Sequence, residues 1–373
     1  MSGGISMIGV TGFAPFGQLV ANTETTHARL NKLSNQASAG LIADNYAGLG
    51  SGAAVSLDLR PQLANLQTWQ NNVDASTGRM SVAQSALTQI GSISANFYAQ
   101  LNNVESVDAS QVDSIAASAR DTLKQVAGLL DTQDGGAYVF AGQDTGNPPV
   151  PDPDNILASA FYAQINAAVT GLDPNVNNAA TVAQATFDAA RFGGTASPFS
   201  TYLTVTPSPS LTTVQIGQNQ TEPTGVSASA NGLIPASQSV GQTIQGSPPS
   251  TTGSYMRDVL RALATIGSLS SGQASDPGFR DLVQDARISL LNAVNTMAQD
   301  AGVLGNVQSS LTVTQSRLAD TQTAITAQVS SAEDVDMAAT LSKLSLVQTQ
   351  MQASYQLIAT LNGLSLAKFL PAS

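Results

Sequence analysis

Apolar side chains recur every seven residues along two long stretches of this chain. In the first, Leu66, Val73, Met80, Leu87, Ser94 and Leu101 hold one seam position, while Trp69, Ala83, Ile90, Phe97 and Val104 hold the other. In the second, Val283, Leu290, Met297, Leu304, Leu311, Leu318 and Ile325 keep the spacing throughout, beside small or β-branched partners at Ala286, Ala293, Val307, Thr314 and Thr321. A seven-residue period lines side chains along one stripe of an α-helix. Sustained this long without internal stops, it predicts coiled-coil rods rather than short globular helices. Fifty such residues at about 1.5 Å each give a rod roughly 75 Å long. Pro61 falls near the start of the first stretch, where a missing N–H is tolerated, and Asp276-Pro277 reads as an N-cap and first-turn pair ahead of the second. Asp300, Gly302 and Gly305 interrupt the second seam locally.

Shorter stripes flank these rods. Val112, Ile115, Ala119, Val126 and Leu130 predict a helix that ends at Gly135-Gly136. Phe16, Leu19, Thr23, Thr26, Leu30, Leu33 and Ala37 keep a heptad near the N-terminus, and Leu344, Val347, Met351, Tyr355, Ile358 and Leu361 make an amphipathic stripe near the C-terminus. Twelve of the 16 prolines lie between Pro148 and Pro249, and a proline inside a helix costs about 3 kcal/mol, so the middle cannot be one long helix. There, Ile156 to Val169 and Val182 to Ala190 read as short helices, and the alternation of Thr201 to Thr206 and Thr213 to Ile216 reads as strands. The expected fold is mainly α: long antiparallel coiled-coil rods from both chain ends with an inserted small mixed α+β middle domain. The corresponding segments are an N-terminal assembly helix over residues 1–45 and the N-terminal half of an inner rod over 46–142. A surface-exposed middle spans 143–252, the C-terminal half of the rod 253–330, and a C-terminal assembly helix 331–373.

Composition narrows what such a chain can do. Only 10% of residues are charged, against about 25% in an ordinary soluble domain. The formal net charge is -11, and Arg191 is the sole cation between Lys124 and Arg257. Nucleic-acid backbones are bound by clusters of Lys and Arg, so that partner class is excluded. There is no cysteine and one histidine, His27, which removes thiol catalysis, disulfides and any site needing two imidazoles. The N-terminal residues lack a cleavable signal pattern, because Gly9, Gly12 and Pro15 break the apolar stretch ahead of the first cation, Arg29. The uncharged, apolar-looking run Ile156 to Leu172 carries Gln164 and Asn166 and is too short to span a bilayer.

Candidate chemistry is sparse. His27 has Glu24 as its only nearby acid and reads as a partly exposed helix residue. Gly48-Leu49-Gly50-Ser51-Gly52 lacks the strand–helix context of a phosphate cradle and reads as a flexible break between helices. Asp152, Asp154, Asp131 and Asp134 read as solvated turn residues, with no closing glutamate for a calcium loop and no cleft-facing pair for glycosidic work. No catalytic residue, metal site or cofactor is expected. The stripes carry few basic residues on their polar sides, unlike interfacial lipid-binding helices, so they are expected to meet other helices. Leu66, Trp69, Val73, Met80, Leu87, Ile90, Phe97, Leu101, Val283, Leu290, Met297, Leu304, Leu311, Leu318 and Ile325 are assigned to rod packing. Phe16, Leu19, Leu30, Leu33, Leu344, Val347, Met351, Tyr355, Ile358 and Leu361 are assigned to an assembly interface.

Several segments carry a resemblance to a known family. Ile42-Ala43-Asp44-Asn45-Tyr46-Ala47-Gly48 resembles a weakened Asp-Asp-Ala-Ala-Gly turn, and Thr77 to Leu87 resembles the first long inner-rod helix. Leu304-Gly305-Asn306-Val307-Gln308-Ser309-Ser310-Leu311 is similar to a Leu-Gly-Ala-x-Gln-Asn-Arg-Leu motif, with Ser309 and Ser310 in place of its polar pair. Gly136-Ala137-Tyr138-Val139-Phe140-Ala141-Gly142-Gln143-Asp144-Thr145-Gly146-Asn147-Pro148-Pro149 resembles a Gly-Arg-Tyr-Leu-Phe-Ser-Gly-x-Asp-Thr-x-x-Pro-Pro signature. Ala332-Glu333-Asp334-Val335-Asp336-Met337-Ala338 with Leu344 to Leu370 resembles the matching C-terminal signature. The family is the bacterial flagellin superfamily, which includes filament flagellins and the hook-associated protein of the hook–filament junction; the last two segments lean toward the latter.

The resemblance implies a non-enzymatic subunit of the bacterial flagellum, secreted unfolded through the type III export apparatus with an export chaperone. It further implies terminal helices that stay disordered in the monomer and order on assembly, and partners that are copies of itself and other axial proteins. No membrane partner is implied. The alternative is a secreted adhesin or glycan-binding protein whose middle domain carries the activity, with Phe161, Tyr162, Phe187, Phe192, Phe199 and Tyr202 as the aromatics available for it.

Overall fold

The computed structural model describes residues 14–101, 109–173, 178–191, 196–204, 210–229, 252 and 254–363. The described chain is mainly helical, and its contacts divide it into two compact units: Met1–Gln67 with Asp320–Ser373, and Thr68–Ala319.

The first unit holds α1 (Ala14–Ala39) packed against α9 (Met337–Gly363), together with the start of α2 (Gly52–Leu101) and the end of α8 (Phe279–Glu333). Gly40, at φ 72°, ends α1 in the left-handed conformation that glycine adopts without strain. Asp336 opens α9, its side chain accepting from the Ala339 N–H at 3.0 Å and its carbonyl from Thr340 at 2.8 Å, which is N-cap geometry. Pro61 lies inside α2, at its tenth residue, rather than in its first turn. The ring is exposed, and its missing N–H forfeits only the bond to the Leu57 carbonyl. Buried neighbours such as Ser56 and Leu66 hold the helix through tertiary packing, from which most helix stability in proteins derives.

In the second unit the remaining parts of α2 and α8 run antiparallel. Gln84 Nε2 donates to the Ala301 carbonyl at 3.1 Å, and further down the pair Gln315 donates to Asp74, so one number climbs as the other falls. Val73, Met80, Leu87, Ile90, Phe97 and Leu101 from α2 and Val283, Leu290, Met297, Leu304, Leu311 and Leu318 from α8 are all buried. Trp69, and Ile325 where α8 has entered the first unit, are partly exposed, and Val104 lies outside the described residues. The seam defects do not break α8, which is helical throughout. Asp276 and Pro277 instead form a turn just ahead of it, with the Phe279 N–H donating to the Asp276 carbonyl at 3.0 Å.

Helix α3 (Ala109–Leu130) stops before the paired glycines. Gly135 and Gly136, both at positive φ, instead make the tight turn of a hairpin, β1 (Gln133–Asp134) with β2 (Ala137–Tyr138). Two consecutive positive φ values match the twist of antiparallel strands. Beyond it come α4 (Ala160–Thr170), α5 (Ala179–Arg191), the single turn α6 (Thr201–Thr204) and a second antiparallel hairpin, β3 (Thr212–Gly217) with β4 (Gln220–Thr224). The strand expected at Thr201 to Thr206 is thus a helical turn over its first four residues, and the last two lie outside the described residues. Thr-Tyr-Leu-Thr fits either period, and the Leu203 N–H to Ser200 carbonyl bond at 3.1 Å fixes the helical one. Val214 and Ile216 of β3 turn inward. Phe161, Tyr162, Phe187 and Phe199 are buried and Tyr202 is half-buried, so these aromatics fill the core; Phe192 lies outside the described residues.

The second unit packs around α7 (Tyr255–Gly267), every residue of which is buried. It contacts α3, α4 and α5, and its charges are satisfied internally. Arg257 donates to the carbonyls of Ser229 (3.0 Å) and Ala190 (2.8 Å) and lies 5.0 Å from the centre of the Phe199 ring; burial lowers its pKa to about 10. Arg261 pairs with Asp285 at 3.4 Å and donates to Ser289. Asp258 accepts from the Thr252 N–H at 2.8 Å. Burial raises the Asp300 carboxyl, with the adjacent Tyr255 hydroxyl opposing that rise.

Placing a charge in the α2–α8 seam tests this packing. Leu87→Asp or Leu304→Asp buries an unpaired carboxylate, at a cost of about 3–5 kcal/mol, and is expected to abolish cooperative thermal unfolding followed by circular dichroism. Asp152→Ala removes only an exposed contact to Asn155 and is expected to shift stability by less than about 0.5 kcal/mol.

Candidate assembly joint

The polar cluster of the first unit lies where α8 gives way to α9. Between them the chain pairs with the segment that leaves α1: the Ile42 N–H donates to the Glu333 carbonyl at 2.7 Å and the Val335 N–H to the Gly40 carbonyl at 2.9 Å. Leu41 and Asp334 form an isolated antiparallel bridge, and Gln36 Nε2 caps the Ile42 carbonyl at 2.7 Å. A 3₁₀ turn, Tyr46–Leu49, follows, with the Asn45 side chain accepting from the Gly48 N–H at 2.9 Å.

The glycines of this turn are packed rather than flexible. A Cβ at Gly52 would lie 2.8 Å from the Ala332 carbonyl oxygen, and one at Gly48 would lie 2.4 Å from the Ala43 Cβ. Gly50, at φ 58°, occupies a conformation that side chains resist. Glycine is therefore required here for close approach.

Glu333 holds the joint together. Its side chain is 9% exposed, and both oxygens are engaged. Arg60 donates Nε to Oε1 at 2.7 Å and Nη2 to Oε2 at 2.5 Å, a two-pronged fork, and the Ser56 hydroxyl also donates to Oε1. Ser56 and Arg60 are four residues apart on α2, hence on one face of it. The Arg60 and Ser56 hydrogen bonds hold the Glu333 carboxyl down at about 2. A concavity of about 210 Å³ lies beside it, lined by Leu41, Ala43, Asp44, Asn45, Tyr46, Leu49, Arg60 and Glu333. A saturated carboxylate and its paired guanidinium offer no nucleophile or free base; they fix the geometry of three chain segments.

Of the residues assigned to the assembly interface, Leu33 and Val347 are buried, Leu30, Leu344, Met351 and Ile358 are half-buried, and Tyr355 is exposed. The side chains of Phe16, Leu19 and Leu361 lie outside the described residues. His27 is exposed on α1. Asp131 departs from the solvated-turn expectation: it accepts the Val150 N–H at 2.8 Å, and burial pushes its carboxyl up to about 6. Ser56, Arg60 and Glu333 were not singled out as a site by the sequence, although a signal existed. Arg60 is the only cation between Lys32 and Arg79, and Glu333 is one of four glutamates. In so charge-poor a chain each such residue carries weight.

The bacterial flagellin N-terminal helical region matches residues 16–145 and the bacterial flagellin C-terminal helical region matches residues 289–370. The joint draws on both matched regions. No individually curated protein matches the chain. The chain belongs to the bacterial flagellin superfamily, a family of structural, non-enzymatic components of the extracellular flagellum. Its flagellin terminal regions make it a flagellar structural subunit. Among the described residues no helix is long and apolar enough to cross a membrane.

The joint has a pH signature. Because the Glu333 pKa is depressed, its contribution to stability is present above the ordinary glutamate value of about 4.3 and is lost as pH falls toward about 2. Glu333→Gln is expected to lower the melting temperature at pH 7 and to narrow the gap to the wild-type chain between pH 5 and pH 2, at roughly these bounds. Thermal melts across that range at fixed ionic strength check this.

Proposed function

We propose that this chain is an axial subunit of the bacterial flagellum that polymerises through its first unit, and that it stands at the hook–filament junction. One observation carries the polymerisation reading. Of the twelve large hydrophobic residues that the described chain exposes, nine lie in the first unit. Helix α9 concentrates them. Leu344, Val347, Met351 and Ile358 follow helical spacing along its more buried stripe, and Met337, Leu341 and Tyr355 lie along the flank of that stripe. Leu346 and Leu357, eleven residues apart and so nearly aligned, are exposed on the far side. A helix that is apolar on more than one face is normally buried. Full burial of Leu341, Leu346 and Leu357 by further copies would contribute about 2 kcal/mol each, before ordering costs.

The junction position is supported by the Gly136–Pro149 segment and the C-terminal signature rather than by the packing. Under this reading the chain is exported unfolded through the type III apparatus with a chaperone, and its terminal helices order on assembly against neighbouring axial proteins. The absence of cysteine suits a chain that must stay free of cross-links while it threads a pore.

Two measurements test the proposal. Leu346→Glu with Leu357→Glu alters exposed positions only, so the monomer is expected to melt as wild type while polymerisation, followed by light scattering and sedimentation, is lost; assembly at the wild-type level would refute the role of α9. Mass spectrometry of flagella sheared from the native bacterium is expected to find the chain as a minor component accompanying the hook. Dominance of the filament fraction would instead make it the filament subunit.

A further inference from the structure

An open trough lies in the second unit between α2 and α8, about 410 Å³ in volume. Its floor is the buried pair Leu87 and Met297, 1% and 2% exposed. Gly91, Ser92 and Ala95 line it from α2, Ala298 and Ala301 from α8, so small residues recur at three- and four-residue spacing on both helices. Such rows leave a groove into which the ridge of another helix can settle.

The trough lining carries no charge, and Asp300, between the lining residues Ala298 and Ala301, is buried. None of the lining residues is ionisable, and neither helix carries Asp, Glu, Lys or Arg over residues 80–101 or 288–299. Interface cores are depleted of charge in the same way. For a chain of net charge -11, this is a place where a like-charged copy can approach without bringing carboxylates together.

The complementary ridge is on the same chain. Residues 301–316 of α8 are also free of charge, and Val303, Asn306, Ser310 and Val313 follow one another at three- and four-residue steps along its exposed side. Val303 is 48% and Val313 67% exposed, the latter the most exposed of the large hydrophobic side chains among the described residues. Val303 and Val313 do not line the trough. A ridge and a groove on different faces of one chain make a heterologous contact, which passes from copy to copy into a ring or an open helical array.

We infer that the trough between α2 and α8 receives the Val303–Val313 ridge of a second copy of this chain. The inference rests on the polymerisation reading and adds to it a lateral contact outside the first unit.

The cysteine-free sequence allows a direct test. Full-length Ala95→Cys/Val313→Cys and Ala95→Cys/Val303→Cys chains are polymerised, treated with a short bismaleimide and run on denaturing gels. A ladder of covalent oligomers is expected from at least one double variant, with nothing beyond dimers from the single variants. Ala298→Trp, at an exposed trough position, is expected to raise the critical concentration for assembly about tenfold, equivalent to about 1.4 kcal/mol, with monomer melting unchanged. Polymers that form normally but give no ladder from either double variant overturn the inference and leave the polymerisation reading standing. Failure of the wild-type chain to polymerise overturns that reading, and the inference with it.

Discussion

Apolar side chains spaced by seven residues on α2 and α8 meet in opposite chain directions, and the two longest helices of the chain depend on that pairing. A helix of fifty residues, such as α2, is not held by propensity alone, least of all with a proline at its tenth position. It persists because buried leucines, valines and methionines remove apolar surface from water at about 25 cal/mol per Å². With so few charges, the chain has little else to offer: its polar contacts between helices are amides and hydroxyls, as where Gln84 meets the Ala301 carbonyl and Gln322 meets Gln67.

That economy makes the exceptions informative. The charged groups that are deeply enclosed sit at places where segments distant in sequence must be held at a fixed register. Glu333 joins the exit of α1, the start of α2 and the break before α9. Arg257 joins the end of α5 to the segment around Ser229. A paired buried charge adds little net stability over an apolar substitute but is costly to leave half-paired. It therefore penalises misplaced segments more than it stabilises the correct arrangement.

The helices were legible because a sustained period is a strong signal: the described seam residues of both long stretches fall on α2 and α8, and Val214 and Ile216 alternate as a strand must. What was not legible depended on tertiary partners. Helix α7 escaped notice because Arg257, Asp258 and Arg261 interrupt its apolar pattern, and only the carbonyls of Ala190 and Ser229 and the carboxylate of Asp285 make those charges tolerable inside. The Thr201 turn was ambiguous because four residues satisfy either period. Gly135 and Gly136 signalled a stop correctly in kind, but they turn a hairpin rather than cap a helix. The clamp on Glu333 links residues 277 apart, a separation that no local pattern reports.

The carbonyls held by Arg257 have one more consequence. Both belong to the excursion that departs after β2 and rejoins the chain at α7, and the guanidinium that grips them lies on α7 itself. The excursion is thus fastened at its point of return. Helices α4 and α5 reinforce that fastening by packing on α7, and the Tyr162 hydroxyl donates to the Gly267 carbonyl at the end of α7 at 3.0 Å. Moving either carbonyl away would leave the Arg257 guanidinium buried without its partner, so a misplaced excursion is penalised at the helix on which it closes.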